Sequence, residues 1–187
     1  MPATNANPRE RLLSAAVDVT YRHGFSAASL ADIAAEAGVP LGNVYYYFKS
    51  KDEIGRAVLD LRLARFKKLL RELEKADSPK ERLCGFVDIK IRNREELARG
   101  GCPVGTLCSE LRKHGGAAAR KSPVLFAEAL AWMEAQFRAL GKAGDSRRLA
   151  VHLLSATQGV STLAHTFHDA EIIETEAALL KKWIRSL

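Results

Sequence analysis

Asn43, Tyr45, Tyr46, Tyr47 and Lys51 concentrate an amide, three phenolic hydroxyls and an ammonium group in one short stretch of the chain. Val44 and Phe48 stand four residues apart inside it, the spacing of a buried helical stripe. Leu41, Gly42, Asn43 and the three tyrosines are left on the other sides. A tyrosine is a rigid ring with a hydroxyl at its tip, so this surface can meet phosphates and base edges together. Asn43 offers a donor–acceptor pair that suits adenine, Gly42 lets backbone approach a duplex closely, and Lys51 can neutralise a phosphate. A helical hairpin whose surface tyrosines bind nothing would show the same pattern.

The neighbouring elements would hold that stretch in place. Ser29 is a candidate N-cap with Asp32 three residues on, and Leu30, Ile33, Ala34 and Ala37 then recur at helical spacing. Gly38 can take the left-handed conformation that ends a helix, Val39 anchors the turn, and Pro40 sets the entry to a second helix over about 41–49. Two helices joined by a short glycine-containing turn, the second with a polar and aromatic outer face, form a helix-turn-helix. A preceding helix is predicted from Pro8 to Arg22 or His23, with Leu12, Leu13, Ala16, Val19 and Thr20 inside, after a flexible arm over residues 1–7. Gly24 closes that helix and Phe25 anchors the loop. Ser50 and Glu53 form a capping box that starts a long helix to about Lys75, roughly 35 Å in length.

At these residues the chain resembles the TetR family of bacterial transcriptional regulators. The matching positions run without a gap: Ser29, Ile33-Ala34, Ala37-Gly38-Val39, Gly42, Tyr45, Tyr47-Phe48, Lys51 and Glu53. The chain departs from the pattern at Pro40, where the family often has a serine capping the second helix. The resemblance implies a DNA-binding head over 8–53 and a ligand-binding and dimerisation domain over 54–187. It implies base-edge contacts from Leu41, Gly42, Asn43 and Tyr46. Phosphate contacts would come from Tyr45, Tyr47 and Lys51, with Ser29 at a helix N-terminus. It further implies a homodimer on a near-palindromic operator in double-stranded DNA, a repressor released by a small-molecule effector.

Beyond residue 76 the pattern stays helical. Ser78, Pro79 and Glu81 begin a helix that should run to Gly100-Gly101, followed by a short helix over about 104–113. Ser122-Pro123 starts the next, Asp145-Ser146 opens a long one through about His165, and Glu171 to Arg185 makes the last. No strand-like alternation and no internal repeat is present, so the predicted class is all-α. In the resembled family the C-terminal helices enclose a small-molecule pocket, and the last two pair with a second subunit. Phe86, Leu107, Phe126, Met133, Phe137 and His165 are the candidate pocket wall, although each alone also reads as core. Ala156 and Gly159, among Leu153, Val160 and Leu163, would let two helices approach closely. That fits a dimer seam or close packing within one subunit.

The stretch from Gly101 to Leu111 also looks like one found in a branch of the family, some of whose members sense oxidants or electrophiles through a cysteine. Cys102 precedes a short helix whose positive end would favour a thiolate. A small buried apolar residue is the plainer reading. Cys108 and His114 lie six apart, about 240° around a helix, so they cannot converge on a metal from one helix.

Composition narrows the class. Of the 187 residues 47% are hydrophobic, which excludes general disorder, yet no apolar run approaches the ~20 residues of a membrane span. The start, MPATNANP, lacks the features of a signal peptide. Three cysteines without a CxxC point to a reducing cytoplasm. The net charge of +7 suits a nucleic-acid partner, but residues 1–50 balance to zero, so charge alone does not find the head. No GxSxG, Walker, HExxH or Rossmann signature is present, no cofactor is implied, and the enzyme reading is set aside. The readings left are a ligand-responsive repressor, a cysteine-based redox or electrophile sensor, and a DNA-binding regulator without a ligand.

Overall fold

The computed structural model describes residues 7–187; of the arm expected over 1–7, all but Asn7 lies outside them. Among the described residues there are eleven α-helices and one 3-10 turn, with no strand, so the class is all-α. They are α1 (Pro8–His23), α2 (Leu30–Ala37), α3 (Leu41–Tyr47), α4 (Lys51–Leu73), α5 (Pro79–Arg92), α6 (Arg94–Gly100), α7 (Pro103–His114), α8 (Gly116–Lys121), α9 (Val124–Ala139), α10 (Ser146–Phe167) and α11 (Glu171–Ser186). None is long and apolar enough to cross a membrane.

Two elements differ from the sequence reading. The helix expected to continue to Gly100 breaks at Asn93, whose side-chain amide donates to the Ile89 carbonyl at 2.7 Å. A short amide side chain that bonds the preceding turn offers the backbone an alternative to the helical ladder. The residues after Gly115 form α8, which was not expected. Ser122, expected to open the next helix, instead closes α8 by donating to the Ala119 carbonyl at 3.0 Å.

The described chain divides into two compact units, one holding the chain up to Ala64 with Thr106–Pro123, the other Arg65–Gly105 with Val124–Leu187. The sequence reading makes a single cut after residue 53. Here the division falls further on, inside α4, between Ala64 and Arg65. The segment 106–123 belongs with the head for reasons that need the tertiary structure. The Glu110 carboxylate accepts the Ser26 N–H at 2.9 Å, Asp52 accepts the Ala118 N–H at 2.9 Å, and Phe25 meets His114 edge-on at 5.3 Å. Gly55, in the middle of α4, leaves room for this packing. A Cβ there would lie 3.0 Å from the Phe25 ring and 3.2 Å from the Ala118 Cβ.

In the head, Leu12, Val19, Ile33, Val44, Phe48 and Ile54 are all buried. Each large apolar side chain so buried contributes about 1.5–3 kcal/mol. In the other unit α5, α9, α10 and α11 share one core that includes Leu83, Val87, Met133, Phe137, Leu153 and Ile184. Leu97 of α6 joins a smaller cluster with Val160, Ala164 and Ile173.

Candidate functional site

The turn between α2 and α3 is held from several sides. Ser29 caps α2 by accepting the Asp32 N–H at 3.1 Å, and Asp32 accepts the Ser29 N–H at 2.9 Å. The Ser29 hydroxyl also donates to Asp32 at 2.6 Å, and these two bonds, the side-chain one first, hold the Asp32 carboxyl below the usual carboxylate range. At the other end Gly38 adopts φ 60° and ψ 39°, the left-handed cap. The Arg11 guanidinium reaches across from α1 and donates to the Ala37 carbonyl at 3.1 Å and the Gly38 carbonyl at 2.6 Å. A cation on the last carbonyls of a helix suits its negative end.

So clamped, α3 buries Val44 and Phe48 and presents Leu41, Gly42, Asn43, Tyr45 and Tyr46 to solvent, with Tyr46 75% exposed. Tyr47 is half-buried, its ring edge-on to Tyr46 at 5.0 Å. Pro40 supplies no side-chain cap to α3.

The head's cations are mostly occupied in holding it together. Arg22 pairs with Glu36 at 2.6 Å, and Arg9 lies over the Phe48 ring at 5.3 Å. Lys51 donates to the Ser26 carbonyl at 2.8 Å and lies 5.1 Å from the centre of the Phe25 ring. Burial pushes its ammonium below the ordinary lysine range, while the nearby Glu110 carboxylate acts the other way. Lys49 is the exposed cation beside the tyrosines: it donates to the Tyr45 carbonyl at 2.9 Å and lies 6.0 Å from the Tyr46 ring.

The second unit contains a small cavity of about 70 Å³ lined mainly by Phe66, Phe86, Leu125, Phe126 and Leu154, with Lys90, Cys102 and Gln158 as polar members. Of the residues expected to form a pocket wall, Phe86 and Phe126 line it. Met133 and Phe137 do not; both are fully buried in the helical core, because α9 turns them toward α5, α10 and α11. Leu107 is buried within the head unit. His165 is exposed on α10, its Nδ1 3.3 Å from the Ala98 carbonyl oxygen.

An open groove on α10 and α11 is lined by Ala156, Gly159, Val160, Leu163, Ile172 and Thr175, among others. Four of the five residues expected at a dimer seam fall here. Leu153 does not; it faces the core with no exposure. Leu163, Phe167, Val151 and Leu179 stand exposed on the same two helices, Phe167 by 68%.

Comparison with known proteins identifies the head. The profile described as "Bacterial regulatory proteins, tetR family" matches residues 12–58, the segment that carries α1 to α3 and the start of α4. Residues 12–58 are a TetR-family DNA-binding head. An HTH-type transcriptional regulator of the lacX 3' region of Lactococcus lactis subsp. lactis is 29% identical over 180 residues, covering 94% of this chain and 92% of its own. The HTH-type transcriptional repressor NemR of Escherichia coli is 34% identical over 70 residues, 37% of this chain and 35% of its own. NemR in its reduced form shares the fold, with a TM-score of 0.79 at 22% identity over 94% of this chain and 96% of that one. A TetR transcriptional regulator from Legionella pneumophila has a TM-score of 0.85 at 21% identity, covering 96% and 98%. With a head of this family and a full-length relative of this kind, the chain is a helix-turn-helix regulator of transcription and not an enzyme.

For the TetR-family head, sequence reasoning passed over Lys49, although its place four residues after Tyr45 puts it one turn on along the same face. It also passed over Arg11 and Glu110, whose partners lie 26 and 84 residues away. No local pattern signals bonds of that separation.

Proposed function

We propose that this regulator is a homodimeric repressor that leaves its operator when a small molecule occupies the cavity of the second unit. The observation that carries the reading is α7. Val104, in its first turn, walls the cavity, and Glu110, further along the same helix, holds the Ser26 N–H in the loop before α2. One continuous helix therefore carries both a cavity residue and a head residue, which gives occupancy a covalent route to α2 and α3. Cys84, Cys102 and Cys108 form no disulfide, which suits a reducing cytoplasm.

The test is reciprocity. DNA flanking the protein's own gene is titrated by fluorescence anisotropy with and without compounds that bind the cavity, and ligand affinity is then measured with and without that DNA. A ligand that lowers operator affinity must itself bind more weakly to the operator complex by the same factor. Near-complete release requires a differential affinity of about 5.5 kcal/mol between the two states. Equal ligand affinity in the two cases would remove induction from the account.

A second reading is favoured by the surroundings of Cys102. Its Sγ accepts the Gly105 N–H at 3.4 Å, lies 3.8 Å from the Lys90 ammonium, and borders the cavity in a half-buried position. The other two thiols differ. Burial pushes the Cys84 thiol up, and buried Cys108 donates to the Ser122 carbonyl at 3.3 Å. Oxidation of Cys102 is the corresponding signal. Mild oxidant should then release the wild-type protein from its operator and leave Cys102→Ser bound, as read by mobility shift. Release of both proteins alike rejects Cys102 as the sensor.

A further inference from the structure

Among the residues lining the cavity of the second unit, Lys90 is the one with a formal charge. Around it stand the rings of Phe66, Phe86 and Phe126, and Gln158 is the nearest thing to a second polar anchor on the wall. Lys90 forms no salt bridge among the described residues. Its hydrogen-bond contact is the long one to the Cys102 sulfur at 3.8 Å. Asp88, the acid two positions back on the same helix, is committed elsewhere, since it binds Lys181 at 2.6 Å. Lys67, Lys75, Lys121 and Lys181, by contrast, each pair with a carboxylate.

The Lys90 ammonium thus stands on an apolar wall with no carboxylate partner among the described residues. A neutral guest in the cavity would strip away more of its water and return nothing. A cationic guest would add repulsion. An anion alone supplies the missing charge partner, which makes charge the strongest discriminator this cavity possesses. Volume sets the second limit. At about 70 Å³ the cavity is far smaller than the several hundred Å³ of common ligand sites, so the guest is compact. Gly105 refines the wall further: a Cβ there would lie 2.6 Å from the Gln158 Oε1, so its absence is what lets that amide stand where it does.

We infer that the effector is a small amphiphilic monoanion, a single ring or short chain among the phenylalanines with its carboxylate on Lys90 and a second hydrogen bond from the Gln158 amide. This deepens, and rests on, the reading of the cavity as the effector site.

Three probes of one shape test it by calorimetry on the full-length protein: benzoate, neutral benzamide and cationic benzylamine. Benzoate should bind at least about tenfold tighter than either of the others. Lys90→Met, which keeps the stem and drops the charge, should remove that preference while benzamide binds it as it binds wild type. Lys90→Arg should retain the preference. The inference is overturned if wild type binds benzamide or benzylamine as well as benzoate, if the preference survives in Lys90→Met, or if benzoate fails to bind up to the millimolar range. Operator anisotropy separates this from the parent reading. Selective benzoate binding without operator release defeats induction and leaves the anion site standing. Operator binding that no benzoate affects, with no benzoate bound, defeats the anion site and leaves the DNA-binding reading intact.

Discussion

Gly159→Arg is expected to convert the protein to monomers and lower its operator affinity by about 100-fold or more, the usual scale on which linked binding modules exceed a single one. The argument rests on the groove along α10 and α11. Apolar side chains at Leu163, Phe167 and Leu179 stand exposed beside it, Leu163 by 51% and Leu179 by 58%, more than one protomer has reason to leave in water. Gly159 lies on the groove wall, and a Cβ added there meets nothing within 4 Å. An arginine at this position therefore clashes with nothing inside its own protomer, and replacing a mid-helix glycine gains up to about 1 kcal/mol of helix propensity. The variant should melt no lower than wild type, which separates loss of the dimer from loss of the fold. Sedimentation velocity reads the mass directly, and a dimer that persists would mean that the groove is not the seam.

Tyr46→Ala and Asn43→Ala should each cost on the order of 1–3 kcal/mol per half-site, mainly on the preferred operator. Two half-sites on a near-palindromic operator about 34 Å apart double the effect. The basis is the exposure of both side chains on α3 and the shortage of free cations around them. Arg11, Arg22 and Lys51 hold other parts of the head, so affinity must lean on a few directed contacts. Lys49→Ala provides the contrast. It removes the exposed cation beside Tyr46 and should weaken binding alike for all sequences, with the salt slope falling by about 1 per half-site. Lys51→Ala should add a lower melting temperature, because it frees the Ser26 carbonyl and uncovers Phe25. Titration against the operator and a scrambled duplex at several salt concentrations measures all four. If Tyr46→Ala weakens both duplexes equally, the tyrosine is a phosphate contact and not a reader of bases.

The amino-acid sequence by itself determined what depends on neighbours within a turn or two. Ser29 with Asp32, and Ser78 with Glu81, announce helix starts because each pair closes its hydrogen bonds across three residues, and both capping boxes form. Gly38 announces the turn because only its own backbone must go left-handed. Val44 and Phe48 identify the inner face of α3, and so by subtraction the outward tyrosines, because helical period is a local property.

Only the tertiary structure decided what lies opposite each face. Phe86 and Phe126 border a cavity while Met133 and Phe137 fill the core, yet all four are large apolar residues at helical spacing. Periodicity tells which way a side chain points, not whether the space beyond holds another helix or nothing. The same reason accounts for Leu153, core where a seam was expected, and for Leu107, buried in the head unit. It accounts as well for Lys51, whose carbonyl partner lies 25 residues back in the chain, while exposed Lys49 bonds only the Tyr45 carbonyl one turn away. Long-range partners are chosen by packing, and packing is settled by all the helices together.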